Sequence, residues 1–214
     1  MIGTVESARV RYAAAALAVG GVFLALWPAI RPYSDETSLQ GAQAFASSAW
    51  VLAHVLGMLG LILVPVGLLG LRTALVDTRS ERSGFVAAIV SWFGAGLALP
   101  FMGAEAFGLH AIGEEAVRQQ STSVLALADE VRSGPGLVIF LVGLLMLGAA
   151  SVIAALAVWR SGMRPSWRGI PFALAFALYI PQFFGAQPIR VAHGILVAAS
   201  CIWLAGAMWR AKPR

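Results

Sequence analysis

Three side chains of this chain stand out because they combine reactive chemistry with apolar surroundings: His54, Glu105 and His193. His54 lies five residues into the apolar stretch 49–71, and His193 four residues into 189–209. At 1.5 Å of rise per residue, both imidazoles sit roughly 6–8 Å below the same boundary. Two histidines at one depth on separate helices are what axial ligation of a b-type haem requires. Gly57, Gly60 and Gly194 would leave room for the macrocycle. Glu105 ends the stretch 85–105 at about the same level. It is open to three roles. It can be a structural acid paired with Arg190 or a histidine, a catalytic acid–base group, or the carboxylate of a two-histidine metal set. No HExxH or HxxxH spacing supports the metal set, so no metal is expected.

Tyr179, Gln182 and Arg190 fall at the same level and are candidate ligand-binding residues, together with His110. His110 follows Glu105 by five residues, beyond the apolar run, where Glu114 offers it a helical partner. Asp129, Glu130 and Arg132 read as a solvated charge run.

These residues depend on the elements that carry them. Six apolar stretches occupy about 12–30, 49–71, 85–105, 136–159, 169–184 and 189–209. Five reach the ~20 residues needed to cross a bilayer as a helix. The fifth in order is short and holds Pro171 and Pro181, so it is kinked or re-entrant. The chain is 59% hydrophobic and only 12% charged, where a soluble domain carries about a quarter charged residues. The expected fold is therefore all-α: a single polytopic membrane bundle over 1–214, with six transmembrane helices and an outer segment at 106–135. Ala13 to Ile30 is too long for a signal h-region and reads as a retained first helix.

Basic residues alternate with the stretches. If the N-terminus is inside, Arg9, Arg11, Arg72, Arg79, Arg82, Arg160, Arg164, Arg168, Arg210, Lys212 and Arg214 are cytoplasmic. Only Arg31, Arg118, Arg132 and Arg190 fall outside. That bias orients the chain with both termini in, in a bacterial inner membrane. It also accounts for the net charge of +5, with membrane lipids as partners. No basic stripe with interleaved aromatics points to nucleic acid.

Locally, Pro100 and Gly103 announce a kink or unwinding just before Glu105. Ser34–Thr37 reads as an N-cap for a helix leading into the second stretch. Trp27 and Trp50 are expected as outer interface anchors, with Trp159, Trp167 and Trp209 at the inner interface and Trp92 and Trp203 packed deeper. Cys201 is a lone buried thiol. Walker, GxGxxG and GxSxG motifs are absent, and the stretches carry no Asp or Lys, which fits poorly with coupled transport.

The 49–54 start of the second stretch (Ala-Trp-Val-Leu-Ala-His), the Gly103–Glu105 segment and the Arg190–His193 start of the sixth resemble the uncharacterised six-helix membrane proteins of high-GC bacteria. That resemblance implies a fold and no activity. The leading expectation is a polar pocket near the extracytoplasmic face that binds a small or lipid-soluble ligand. Its sharpest version is a bis-histidine haem b for electron transfer. The alternatives are an intramembrane enzyme using Glu105 on an isoprenoid- or quinone-like substrate, and a structural or partner-binding protein without a site.

Overall fold

A computed structural model describes residues 2–163 and 165–210. Arg164, Lys212 and Arg214, counted above toward the cytoplasmic charge, lie outside the described residues. The long helices are α1 (Ile2–Ile30), α3 (Ser48–Ala74), α4 (Glu81–Gly103), α7 (Gly134–Arg160) and α9 (Gln187–Trp209). Shorter pieces connect them: α2 (Leu39–Phe45), α5 (Leu109–Gln119), α6 (Ala126–Val131) and α8 (Ile170–Ala177). No strand occurs among the described residues. Five continuous helical segments are long and apolar enough to cross a membrane: Ser7–Ile30, Ser48–Ala74, Glu81–Gln119, Gly134–Arg160 and Gln187–Trp209.

The helices close into a ring in the order α1, α3, α4, α7, α8, α9 and back to α1. Each neighbour runs antiparallel to the last. Small residues set the spacing, because close approach without a Cβ is what favours helix association in lipid. At the α4–α7 crossing, a Cβ on Gly94 would meet the Gly143 carbonyl at 2.7 Å, and one on Gly143 would meet the Gly94 carbonyl at 2.6 Å. Gly57, Gly60 and Gly194 serve the same purpose. Their open sides are filled by Met102 and Trp27, by Leu24 and Gly20, and by Ala25 and Pro28. The guanidinium of Arg11, early in α1, lies 5.7 Å from the ring of Trp209 at the end of α9, so both chain ends share one end of the ring.

The fifth stave, which contains α8, is broken. Pro181 offers no N–H to the carbonyl of Ala177, and its ring would clash there, so α8 stops at Ala177 after eight residues. A 3-10 turn at Pro181–Phe184 follows, and another at Ser166–Gly169 precedes α8. The segment still runs antiparallel to both neighbours. Gly169 abuts Ala155 of α7, while Gly148 faces Phe176. On the α9 side, Trp167 stacks on Trp203 at 5.5 Å, and further along His193 reaches Ala175.

The third stretch differs from its expected outline. It does not end at Glu105 but continues through a π-helical turn, Ala104–Gly108, into α5 and on to Gln119. This 39-residue helix is roughly 58 Å long, far more than the ~30 Å hydrocarbon core. Its far half therefore stands clear of the bundle. There Leu109 and Ala116 pack with Phe45 of α2, Trp50, and Leu125 and Ala128 of the α6 region in a second, smaller core. The expected unwinding after Pro100 takes the form of that π turn, a feature frequent at functional sites.

Three local expectations are corrected. The helix caps are Ser38 for α2 and Ser47 for α3, whose hydroxyls accept from the N–H groups of Gly41 and Trp50. Asp35 instead closes a turn by accepting from both the N–H and the hydroxyl of Thr37, which hold its carboxyl below the ordinary range. Trp50 is no interface anchor; it is completely buried. Trp92 is 64% exposed on the apolar outer surface rather than packed inside.

Candidate functional site

The break in the fifth stave leaves the ring hollow at the end away from the chain termini. A cavity of about 620 Å³ opens there, within the range typical of small-molecule sites. All long helices of the ring contribute: Leu24 and Trp27 from α1, His54 from α3, Met102 from α4, Phe140 from α7, and Arg190 and His193 from α9. Tyr179 and Gln182 from the broken stave and Glu105 from the π turn complete the polar part. The sequence-selected residues thus meet, with one exception. His110 does not line the cavity. Its Nδ1–H donates to the Phe45 carbonyl at 2.9 Å and its Nε2 lies 3.5 Å from Glu114, which ties α5 to α2.

Glu105 is the centre of an ion network; of its expected partners, Arg190 or a histidine, it faces His54 and not Arg190. Arg132 binds it with two donors, Nε to Oε1 at 2.6 Å and NH2 to Oε2 at 3.1 Å. The same guanidinium donates to Glu36 at 2.5 Å, and Glu36 accepts from Arg31 at 2.7 Å. Arg132 is therefore not part of a solvated charge run. Burial opposes its charge, but the Glu105 and Glu36 carboxylates outweigh that and raise its pKa above the ordinary arginine value. Both arginines also lie over aromatic faces. Arg31 sits 4.6 Å from the Trp50 ring and 4.8 Å from that of Tyr33, and Arg132 5.4 Å from that of Phe45.

The π turn is held from below. The Trp50 indole N–H donates to the Glu105 carbonyl at 2.8 Å, across 55 residues of sequence. The Trp50 carbonyl in turn accepts from His54 Nδ1–H at 2.8 Å. That bond points His54 Nε2 toward the Glu105 carboxylate, 3.6 Å away, while the ring packs against Trp50 and edge-on to Trp27.

The opposite histidine is committed differently. His193 Nε2–H donates to the Ala175 carbonyl at 2.8 Å, the free carbonyl near the end of α8, and its ring meets Tyr179 edge-on at 5.1 Å. Arg190 donates to the carbonyls of Gly185 at 3.0 Å and Phe183 at 2.7 Å. Among the described residues no set of three His, Cys, Asp or Glu side chains is placed to hold a metal ion.

Arg31, Glu36 and Arg132 escaped selection from sequence. A signal existed in the charge bias: Arg31, Arg132 and Arg190 are three of the four arginines on the arginine-poor side, and all three line the cavity. The fold and site together define an all-helical, multi-pass membrane bundle with a polar-walled cavity at one end. No family model, curated protein or solved structure matches the chain.

Proposed function

We propose that this protein is a six-crossing bacterial inner-membrane protein, both termini cytoplasmic, whose cavity near the extracytoplasmic surface binds a small lipid-soluble molecule. The observation that carries this reading is the hollow ring. Its break leaves about 620 Å³ floored by apolar side chains and rimmed by His54, Glu105, Gln182, Arg190 and His193. Apolar pockets with a few convergent polar groups are the usual form of ligand sites. The sixth crossing is supported by length. The two 3-10 turns and α8, laid end to end, cover roughly 28 Å, close to the hydrocarbon thickness. Large apolar side chains facing outward, such as Leu52, Leu145 and Ile195, fit a lipid surround.

Native mass spectrometry of the full chain released from nanodiscs tests the reading. A bound small molecule should appear on the wild type and be lost from Leu137→Trp, which fills the cavity. A bare polypeptide mass for both would overturn it.

The haem version draws less support. His193 has already committed its Nε2 to Ala175, and the His54 Nε2 faces a carboxylate. A Soret band lost in His54→Ala would restore it. The acid–base version is likewise weakened, since both Glu105 oxygens are held by Arg132. Turnover of a lipid-soluble substrate that vanishes in a folded Glu105→Gln variant would favour it.

A further inference from the structure

The charge of the cavity wall is uneven. Arg31, Glu36, Arg132 and Glu105 neutralise one another through contacts of 2.5–3.1 Å. Arg190 has no such partner: its described contacts are two main-chain carbonyls and the faces of Tyr33 and Phe183, each centred 6.0 Å away. The carbonyls fix the guanidinium plane without cancelling its charge, and they engage Nε and one terminal nitrogen only. The other terminal nitrogen has no acceptor among the described residues. An arginine that merely snorkels turns its head to water. This one is half-buried and spends two donors on the main chain at the cavity rim.

Its neighbours are also unsatisfied. Gln182 is only 7% exposed, yet its side-chain amide makes no hydrogen bond with any described residue and borders the cavity. The amide opens into the cavity, where a ligand or water can bond it. His193 lies one turn below Arg190 on the same face of α9, with Nδ1 uncommitted. Further in, the lining is apolar: Leu24, Met102 and Phe140.

We propose that the occupant is an amphiphile bearing one oxyanion, a carboxylate or a phosphodiester, seated on Arg190 and Gln182, with its apolar body directed toward Leu24, Met102 and Phe140. This rests on the cavity reading above and adds the class of ligand. One uncompensated cation calls for one negative charge. A pre-oriented guanidinium edge suits an oxyanion, and an apolar surround strengthens the attraction. The volume admits a single chain or ring system.

The test uses the full chain in nanodiscs of zwitterionic lipid, titrated with ω-bromoundecanoic acid, above the pKa of the acid, and with ω-bromoundecanol. Bromine in the cavity quenches Trp27, and the signal should drop out in Trp27→Phe. The acid should bind at least about tenfold more tightly than the alcohol, the scale of one charge-assisted hydrogen bond. Arg190→Gln should remove that preference, and Arg190→Lys should keep part of it. Adding phosphatidylglycerol separates the two sources. Displacement of the acid assigns the site to a phosphodiester headgroup, and persistence of the acid assigns it to a free carboxylate. Equal affinity of the wild type for acid and alcohol overturns the oxyanion site and leaves the cavity reading standing. Quenching by neither overturns both. If Arg190→Gln fails to fold, the wild-type comparison and Arg190→Lys still decide.

Discussion

On the cavity wall built by α3, the π turn and the segment before α7, every charge is answered. Arg132 holds two carboxylates, Arg31 shares one of them, and Trp50 braces the backbone beneath Glu105. On the wall built by residues 179–187 and α9, Arg190 stands without an acid and Gln182 without a partner. The first wall looks built to hold the bundle together, the second to meet something from outside. Buried polar groups that serve structure come paired, because an unpaired one is costly. Those that serve binding are left open and are satisfied only when the site is filled.

The contrast can be broken by stability measurements on the full chain in nanodiscs. Arg132→Met should have the largest effect, because it takes the guanidinium from buried Glu105 and leaves Glu36 with Arg31 alone. We expect a loss of about 3 kcal/mol, and recovery of much of it in Arg132→Met/Glu105→Gln, which leaves the Arg31–Glu36 pair in place. A loss below about 1 kcal/mol would mean the first wall is not a structural brace. Trp50→Phe keeps an aromatic ring but leaves the Glu105 carbonyl without its donor. It should lower unfolding free energy by about 1–2 kcal/mol and perturb the α3–π turn contact seen by amide exchange. Arg190→Gln should cost less, about 1 kcal/mol, because only hydrogen bonds to carbonyls at the rim are lost. An effect as large as that of Arg132→Met would erase the distinction between the walls. Arg118→Ala removes an exposed ion pair with Glu115 beyond the cavity and should change the melting temperature least.

Much of the fold could be read along the chain. Five long apolar runs became five long helices, and the prolines at 171 and 181 marked the stave that fails to complete. Pro100 and Gly103 pointed to irregular helix just before Glu105, where the π turn lies. Shared depth was also legible, since rise per residue is fixed once a helix is granted. It brought His54, His193, Glu105, Arg190, Gln182 and Tyr179 to one layer, and that layer is the cavity wall. Reading hydropathy alone cut the third helix short at Glu105. The run turns polar there, but the helix continues because α2 and the α6 region give its far half a second core. Arg132 looked like a surface charge for a related reason. Nothing near it in sequence shows that the chain folds back 27 residues to Glu105 and 96 to Glu36.

What the chain determined by itself is a matter of local rules: apolar length, proline geometry, basic bias and axial rise each act within one segment. Pairing is not local. Which carboxylate an arginine meets, which imidazole nitrogen is taken by a carbonyl, and which cation is left over depend on helix rotation. That rotation is set by Gly94 against Gly143 and Gly57 against Met102 and Trp27, contacts between residues far apart in the chain. Only the closed ring decides that Arg132 is satisfied and Arg190 is not.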